Sequence, residues 1–476
     1  MKSLRCTTAL MLLVLASRTG GAQERQLSTS VRNYASVTAP VAALTHVRVI
    51  DGTGAAARDD QTIVITGDKI SAIGAAADVA VPAGAQVLDL TGHTAIPGLV
   101  GLHDHMYYSS AAGGSMKMMI QSYPRLFLGA GVTTIRTAGS TDSYQELNLK
   151  TRIDNGDAVG PTLFVTGPYL QGAGGGLGPM HPLSGPEDAR RTVRYWSEEG
   201  VSWFKAYTQI SRADLGAAID EAHKHGVKVT AHLCSVGYRE AVALGIDNLE
   251  HGMFANSEFY KNKQPDVCPT AGDSAVFADA NLDNPEVQRT IQEMIKHKVS
   301  LTSTLAVYET STPTRVTRDA RVIDALFPDA AAAVDRWYGA AATAKDANSR
   351  AVLQKTMAFE RAFYKAGGLL AAGSDPCCLH VIAGYGDQRN YEILIEAGFS
   401  PEEAVQVMTM NGARVLGIAD RVGSLKPDMQ ADIVILQGNL SESPANIRRT
   451  VTVFRKGIGF DSAKLITSIK GQVGLK

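Results

Sequence analysis

The feature that most constrains the fold is an alternation of apolar, β-like runs with helical stretches through the middle of the chain. This alternation predicts an α/β fold with a parallel sheet. Eight such units over about 320 residues fit a TIM-like (β/α)8 barrel. A doubly wound open sheet is the alternative, but no G-x-G-x-x-G motif opens a helix after a strand. The predicted strands are 95–105, 132–137, 162–166, 202–205, 228–232, 248–251, 299–304 and 369–375.

Short β-rich segments occur at both ends of this alternating region. Residues 45–50, 62–65 and 87–90 precede it, and residues 431–436 and 451–457 follow it. Neither group has enough strands to be stable alone. The sequence therefore predicts one small β-sandwich domain built from both termini, residues 40–94 and 420–470. The barrel domain, residues 95–419, is inserted between them.

Polar side chains end most of the predicted strands. In an extended strand His103 and His105 point to the same side, so they form a plausible pair of metal ligands. A charged or imidazole group that ends an apolar run costs stability unless it has a partner. In a barrel, the carboxyl ends of the strands carry the chemistry. The candidate ligands at these ends are His103, His105, Lys205, His232, His251 and Asp375.

The first residues indicate export. Lys2 and Arg5 precede an apolar run at 9–16, and small residues follow at 20–22. This pattern predicts a signal peptide over residues 1–22 and a secreted or periplasmic protein. The run is too short for a membrane-spanning helix, and no other segment is apolar for long enough.

Composition is that of an ordinary globular chain of 476 residues, 45% hydrophobic and with a formal net charge of −1. Such a balance gives no reason to expect nucleic acid or an anionic membrane as a partner. We expect a small-molecule substrate and no membrane contact after signal cleavage, and we leave a homo-oligomeric state open.

Four cysteines follow the predicted signal peptide. An oxidising compartment allows a disulfide, and we predict one between Cys268 and either Cys377 or Cys378, which flank stretches at one rim of the predicted barrel. Cys234 is interpreted as a small core residue. The sequence does not fix the pairing.

The motifs at the strand ends resemble those of the metal-dependent amidohydrolase superfamily, in particular its imidazolonepropionase-like and Xaa-Pro dipeptidase-like branch. The resemblance extends over nearly the whole chain after the signal peptide, including the late segment 423–434. The motifs are specific for the superfamily and only weakly specific for the substrate. They are Ala95-Ile-Pro-Gly-Leu-Val-Gly-Leu-His-Asp-His105, Trp203-Phe-Lys-Ala-Tyr207, Thr230-Ala-His232, Asn248-Leu-Glu-His-Gly252 and Ala372-Gly-Ser-Asp-Pro376.

The resemblance implies two divalent metal ions, with zinc preferred. By this resemblance, one ion would be held by His103, His105 and Asp375, and the other by His232 and His251. Lys205 would bridge both after it has reacted with carbon dioxide to form a carbamate. The metal ions would supply a hydroxide for attack on the amide carbonyl, and Asp375 would carry the proton to the leaving nitrogen.

Three further residues are candidate substrate contacts. Tyr207 lies two residues after Lys205 and hence on the same face of the strand. His181 follows a glycine-rich loop, at a position where relatives contact substrate. Arg136, which ends the second strand, could pair with a substrate carboxylate. The roles of His380 and Cys234 stay open.

The combined pattern predicts a hydrolase that cleaves the amide bond of a small carboxylate-bearing substrate, such as a dipeptide, an Xaa-Pro-like compound or an N-acyl amino acid. An esterase, lactonase or phosphotriesterase with the same metal centre is the alternative. A non-catalytic relative that only binds a metal is a third interpretation, and the presence of Asp375 speaks against it. Residues 256–288 and 307–347 are expected to overhang the site and to select the substrate.

Overall fold

The computed structural model describes residues 27–109, 116–174, 180–269, 280–341 and 343–474. The predicted signal peptide, residues 1–22, lies outside the described residues, so secretion stays a prediction. Within the described ranges, no helix has the length and apolar character needed to cross a membrane.

The strands of the described residues, in chain order, are β1 (Ala35–Val37), β2 (Val41–Val49), β3 (Arg58–Thr66), β4 (Lys69–Ala75), β5 (Gln86–Asp89), β6 (His93–Pro97), β7 (Leu99–Asp104), β8 (Tyr107–Ser109), β9 (Met116–Met118), β10 (Val132–Thr137), β11 (Thr162–Phe164), β12 (Trp203–Ala206), β13 (Lys228–Ala231), β14 (Asn248–Glu250), β15 (Ser300–Ser303), β16 (Leu370–Ala372), β17 (Ile433–Gln437), β18 (Thr450–Arg455) and β19 (Ile458–Asp461).

The helices are α1 (Thr29–Arg32), α2 (Tyr123–Gly129), α3 (Ser143–Asp154), α4 (Pro186–Glu198), α5 (Arg212–Lys224), α6 (Tyr238–Ala243), α7 (Pro285–Lys296), α8 (Leu305–Tyr308), α9 (Ala320–Ala325), α10 (Pro328–Ala341), α11 (Ala347–Lys365), α12 (Tyr385–Glu396), α13 (Pro401–Gln406), α14 (Gly412–Leu416) and α15 (Ser462–Thr467). A π-helical turn, Val407–Asn411, joins α13 to α14. Single 3-10 turns occur at Glu309–Ser311, Pro313–Arg315 and Pro444–Arg448.

Strands from both ends of the chain lie in one nine-stranded sheet. Its order is β1-β19-β18-β17-β6-β2-β3-β4, and β5 pairs with β2 at the side of this path. The join between the two ends is the antiparallel pairing of β6 with β17. Apolar side chains from both ends, such as Leu44 and Ile433, bury together in one cluster. The predicted packing of two sheets into a sandwich stays a prediction.

The prediction that residues 95–105 form one strand, the first of the barrel, is wrong. The first part of this segment is β6 in the nine-stranded sheet, and its second part is β7 in a parallel sheet. The chain changes sheets at Gly98, whose backbone N–H donates to the carbonyl of Asp432 at 2.9 Å. A Cβ atom at this position would lie 2.0 Å from Thr133 Oγ1, so a side chain does not fit there.

The other seven predicted strands each overlap an observed one, and they form parallel sheets with β7. One sheet has the order β11-β10-β7, and the other has the order β12-β13-β14-β15-β16. Hydrogen bonds link the two sheets at both ends of this series. Gly167 N donates to Trp203 O at 2.9 Å, and Asp375 N donates to His103 O at 2.8 Å. The strands form two separate sheets, so a closed barrel stays a prediction.

The helices between these strands end where the sequence places helix-stopping glycines. Helix α5 is followed by Gly226 with φ +69°, and α11 is followed by Gly367 with φ +93°. Glycine adopts this left-handed conformation without the steric cost that other residues incur. Both glycines therefore suit the ends of the helices that precede them.

The predicted disulfide is wrong, because the structure pairs Cys234 with Cys268. Cys234 follows β13, and Cys268 lies in the segment that follows β14. Since β13 and β14 are neighbours in the sheet, the loops that leave them are neighbours too. Cys377 and Cys378 follow β16, two strands away from β14, and both are free thiols.

Candidate metal centre

The structure brings the predicted ligands together at the carboxyl ends of the parallel strands. Each one lies within such a strand or at most three residues after its end. The six residues are His103 in β7, His105 after it, Lys205 in β12, His232 after β13, His251 after β14 and Asp375 after β16.

The carboxylate of Asp375 lies between the two histidines of the His-X-His motif. Its Oδ1 is 3.0 Å from His105 Nε2, and its Oδ2 is 3.6 Å from His103 Nε2. Ligand atoms of His103, His251 and Asp375 all lie within 4.8 Å of one another. The first and last strands of the parallel series therefore contribute to one cluster.

The imidazole rings of the cluster are packed closely. The ring centroids of His232 and His251 are 4.2 Å apart, and those of His103 and His251 are 4.4 Å apart. Burial, together with the nearby ammonium of Lys205, lowers the pKa of His103 to about 4 and that of His232 to about 3. These two rings are therefore neutral at physiological pH, as metal ligation requires.

Two of the cluster residues have an unusual backbone. His251 has φ +71° and Asp375 has φ +52°. Residues other than glycine seldom adopt positive φ, and such strain occurs preferentially at functional sites. At His251 the consequence of the positive φ is visible in the side-chain contacts. Glu250 and His251 are adjacent, yet both contact the same ring, that of His103.

Lys205 is buried below the histidines. Its Nζ lies 3.5 Å from His103 Nδ1 and 3.7 Å from Glu250 Oε1. Burial lowers the pKa of Lys205 to about 8, against the raising effect of the Glu250 charge. A lysine with this pKa has an appreciable fraction of free amine at neutral pH, which is the form that reacts with carbon dioxide.

A buried ring nitrogen without a described hydrogen-bond partner indicates that the cluster fits a metal ion. His251 Nδ1 lies 2.7 Å from Thr304 Oγ1, whereas its Nε2 is buried and has no hydrogen-bond partner among the described residues. Burial raises the pKa of Asp375, but the charges of His103 and His105 hold it below its usual range. Imidazole nitrogens with an ionised carboxylate are a donor set that suits zinc.

Of the predicted substrate contacts, only Tyr207 lies beside the cluster. Its ring centroid is 5.1 Å from that of His232 and 5.2 Å from that of Tyr169. The side chain of His181 is 69% exposed, and its Nε2 lies 3.3 Å from Asp188 Oδ2. This contact turns the imidazole to the buried carboxylate of Asp188, and the imidazole has no described contact with the cluster.

Arg136 is paired inside the protein, and its predicted contact with a substrate carboxylate stays a prediction. Its guanidinium is fully buried, donates to Glu250 Oε1 and to Asn248 Oδ1, and packs over Trp203 at 4.6 Å. These contacts hold the guanidinium below the cluster. The sequence showed that a cation lies near the end of β10, but it could not show that a carboxylate on β14 neutralises it.

Sequence reasoning missed Glu250, whose Oε2 lies 2.8 Å from His103 Nδ1. It also missed further tyrosines near the cluster, namely Tyr107, Tyr169 and Tyr308. Tyr107 stacks on His105 at 4.5 Å, its hydroxyl lies 2.8 Å from that of Tyr169, and Tyr308 lies 5.3 Å from His251. Burial raises the pKa of Tyr107 and Tyr169 well above the usual value, so both phenols stay protonated.

The loop after Asp375 carries His380, whose role was left open, and the two free cysteines. The Sγ atoms of Cys377 and Cys378 lie 2.9 Å apart. His380 stacks on Trp337 of α10 at 4.6 Å, and burial lowers its pKa to about 4. The stacking connects this loop to the segment 307–347, which was predicted to overhang the site.

The sequence matches the Amidohydrolase family over residues 94–459, and the chain belongs to that family. This confirms the predicted class, a hydrolase of carbon–nitrogen bonds. The family is metal-dependent, in agreement with the group formed by His103, His251 and Asp375.

Solved structures show the same fold. A protein from Bifidobacterium longum, provisionally assigned as a prolidase, is 24% identical, with a TM-score of 0.65, over 90% of this chain and 98% of that one. An Xaa-Pro dipeptidase with bound methionine is 21% identical, with a TM-score of 0.65, over 88% of this chain and 100% of that one.

A curated relative matches over a short stretch only. Adenine deaminase 2 from Jannaschia sp. (strain CCS1) is 38% identical over 80 residues, which is 14% of this chain and 13% of that protein. The chain thus spans about an eighth of the length of this relative.

Proposed function

We propose that the chain is a secreted hydrolase that uses two divalent metal ions to cleave the amide bond of a small carboxylate-bearing substrate. A dipeptide of the Xaa-Pro type or an N-acyl amino acid fits this description. The observation that carries the proposal is the convergence of four histidines, one lysine and one ionised aspartate in a buried cluster. The two structural neighbours described above, one of them an Xaa-Pro dipeptidase, support the substrate class.

The proposal includes the fold that such a site needs. We take the eight parallel strands, β7 and β10–β16, as one TIM-like barrel, with the nine-stranded sheet as a β-sandwich domain from both termini. The hydrogen bonds from Asp375 to His103 and from Gly167 to Trp203 support closure, because each joins the two parallel sheets. Barrel enzymes carry their active sites at the strand ends where this cluster lies.

His103, His105 and Asp375 would hold one metal ion, His232 and His251 the other, and Lys205, as a carbamate, would bridge them. Bound metal ions would polarise the scissile carbonyl and lower the pKa of a bound water. A carbamate supplies anionic oxygens, whereas an ammonium would be repelled by two cations. The low pKa of Lys205 favours the free amine from which the carbamate forms.

Asp375 is the proton carrier in this proposal. Its carboxylate lies between His103 and His105, and its backbone N–H is held by the carbonyl of His103. Held in this way, it can accept the proton of the attacking water and deliver it to the leaving nitrogen. Tyr207, next to His232, is the described side chain best placed to contact the substrate.

The test is a substrate screen with purified full-length protein and zinc. We expect turnover of Xaa-Pro dipeptides or N-acyl amino acids, and a loss of about 10²–10⁴-fold in kcat for Asp375→Asn. The matched control is Asp335→Asn, which changes an exposed aspartate paired with Arg318 on the surface. Turnover of lactones or phosphotriesters without any amide hydrolysis would contradict the proposal and favour the alternative class.

A further inference from the structure

Glu250 is a fully buried carboxylate directly below the cluster. It contacts three charged or imidazole side chains, His103, Lys205 and Arg136. Burial alone would raise the pKa of Glu250, but the charges of Lys205 and Arg136 hold it well below its usual range. The guanidinium of Arg136, a permanent cation, donates to Glu250 Oε1, so this side chain is an anion enclosed by the protein, and its contacts need an explanation beyond packing.

The contact with His103 determines which ring nitrogen can bind a metal. A carboxylate only accepts hydrogen bonds, so at 2.8 Å from Glu250 Oε2 the Nδ1 of His103 must carry the hydrogen. The other nitrogen, Nε2, then keeps its lone pair, and it is the atom that faces Asp375. Metal-bound histidines are commonly fixed in this way by a carboxylate.

Glu250 is itself held from below. Its Oε1 accepts hydrogen bonds from Arg136 Nη2 and from the hydroxyl of Thr230. Arg136 donates also to Asn248 Oδ1 at 3.2 Å. Asn248 and Glu250 are two residues apart in β14 and so point to the same side of the strand. The carboxylate therefore has no freedom to turn away from His103.

We propose that Glu250 is a positioning residue that fixes the orientation and tautomer of His103, and that Arg136 keeps Glu250 in place. This inference rests on the metal centre of the proposed function. It assigns to Arg136 a task inside the protein in place of the substrate contact predicted from the sequence. The ion pair is fully buried, so removing one partner leaves the other charge uncompensated.

The test measures how tightly the full-length protein holds zinc, by release of the ion to a chromophoric chelator. Glu250→Gln keeps the size of the side chain, but its amide can donate to Nδ1 as well as accept, so the tautomer is no longer imposed. We expect its zinc affinity to fall roughly 10–100-fold. The double variant Glu250→Gln, Arg136→Met removes both buried charges, and we expect it to fold and to show a similar fall.

The control is Glu146→Gln, which neutralises another fully buried glutamate, on α3, near Thr137 and Ser140. It should hold zinc like the wild type. This inference is wrong if Glu250→Gln folds and holds zinc within about threefold of the wild type. If Glu250→Gln does not fold, the double variant is judged by the same criterion. A wild type that binds zinc but hydrolyses no amide contradicts only the proposed function, and a wild type that binds no zinc overturns both.

Discussion

Asp375 is hydrogen-bonded to the two histidines at the other end of the parallel series through both its side chain and its backbone. Its Oδ1 lies 3.0 Å from His105 Nε2, and its N–H donates to the carbonyl of His103 at 2.8 Å. The same residue thus joins the last strand to the first and completes the cluster. A disturbance of the loop after β16 is expected to affect metal binding and proton transfer together.

Substitutions of Lys205 distinguish a bridging carbamate from an ordinary structural lysine. Lys205→Ala should lower metal content and activity together, because it removes an anionic ligand shared by two cations. Added acetate or propionate should restore part of both by occupying the vacated space. Lys205→Arg should not be rescued, since its guanidinium stays positively charged. Metal analysis with parallel activity assays decides this. Full metal content and near-normal turnover in Lys205→Arg would exclude the carbamate.

Metal removal should abolish activity in a reversible manner. The buried His251 Nε2 has no described partner, and the ligand atoms of His103, His251 and Asp375 lie within 4.8 Å of one another. We expect up to two divalent ions per chain by elemental analysis, with activity lost to a chelator and recovered with zinc. Active protein that contains only trace metal would contradict the two-metal proposal.

Glu146 should make the protein less stable as the pH rises. Burial raises its pKa from 4.5 to about 8 in the folded state, with Thr137 and Ser140 opposing the shift. Between these values the unfolded chain releases the proton and the folded chain keeps it. The contribution of Glu146 to the free energy of unfolding is therefore fully present below the lower pKa. It is lost as the pH approaches the higher pKa, by at most about 1.4 kcal/mol per pH unit.

Glu146→Gln has no such proton to lose, so its stability relative to the wild type should increase between about pH 5 and pH 8. Denaturant unfolding at several pH values measures this difference. A difference that does not change with pH would show that the carboxyl group of Glu146 is already ionised in the folded protein.

The Cys234–Cys268 disulfide should stabilise the segment that follows β14. It closes a loop with a sequence separation of 34 residues, for which about 2–4 kcal/mol of stabilisation is typical. Replacing both residues by serine should lower the free energy of unfolding by this amount, and a reducing agent should have the same effect on the wild type. The control, Cys377→Ser with Cys378→Ser, should keep the response to reduction. An unchanged free energy in the first variant would contradict the pairing.

Truncation after Gly423 should unfold the N-terminal strands. It removes β17, which pairs with β6 along its whole length, from Ile433 opposite Pro97 to Gln437 opposite His93. It also exposes the apolar cluster that both termini share. Limited proteolysis and circular dichroism of the truncated chain would show this. A protease-resistant N-terminal β-domain in the truncated protein would mean that the two ends fold independently.

The sequence by itself determined most of the parallel strands and the residues that end them. A polar residue after an apolar run is a local pattern, so His103, His105, Lys205, His232, His251 and Asp375 could be selected without a structure. Seven of the eight predicted strands each correspond to one observed strand for the same reason. The sequence predicted 95–105 as one strand, and its division into β6 and β7 was missed because its apolar pattern continues unbroken through Gly98.

Only the tertiary structure decided which side chains meet. The inward position of His251 beside Glu250 depends on the positive φ of His251, because strict alternation along a strand would place these neighbours on opposite faces. The burial of Arg136 and the pairing of Cys234 depend on which strands are adjacent. Such facts follow from contacts between residues far apart in the chain and from single backbone angles, and a local pattern of residue types contains neither.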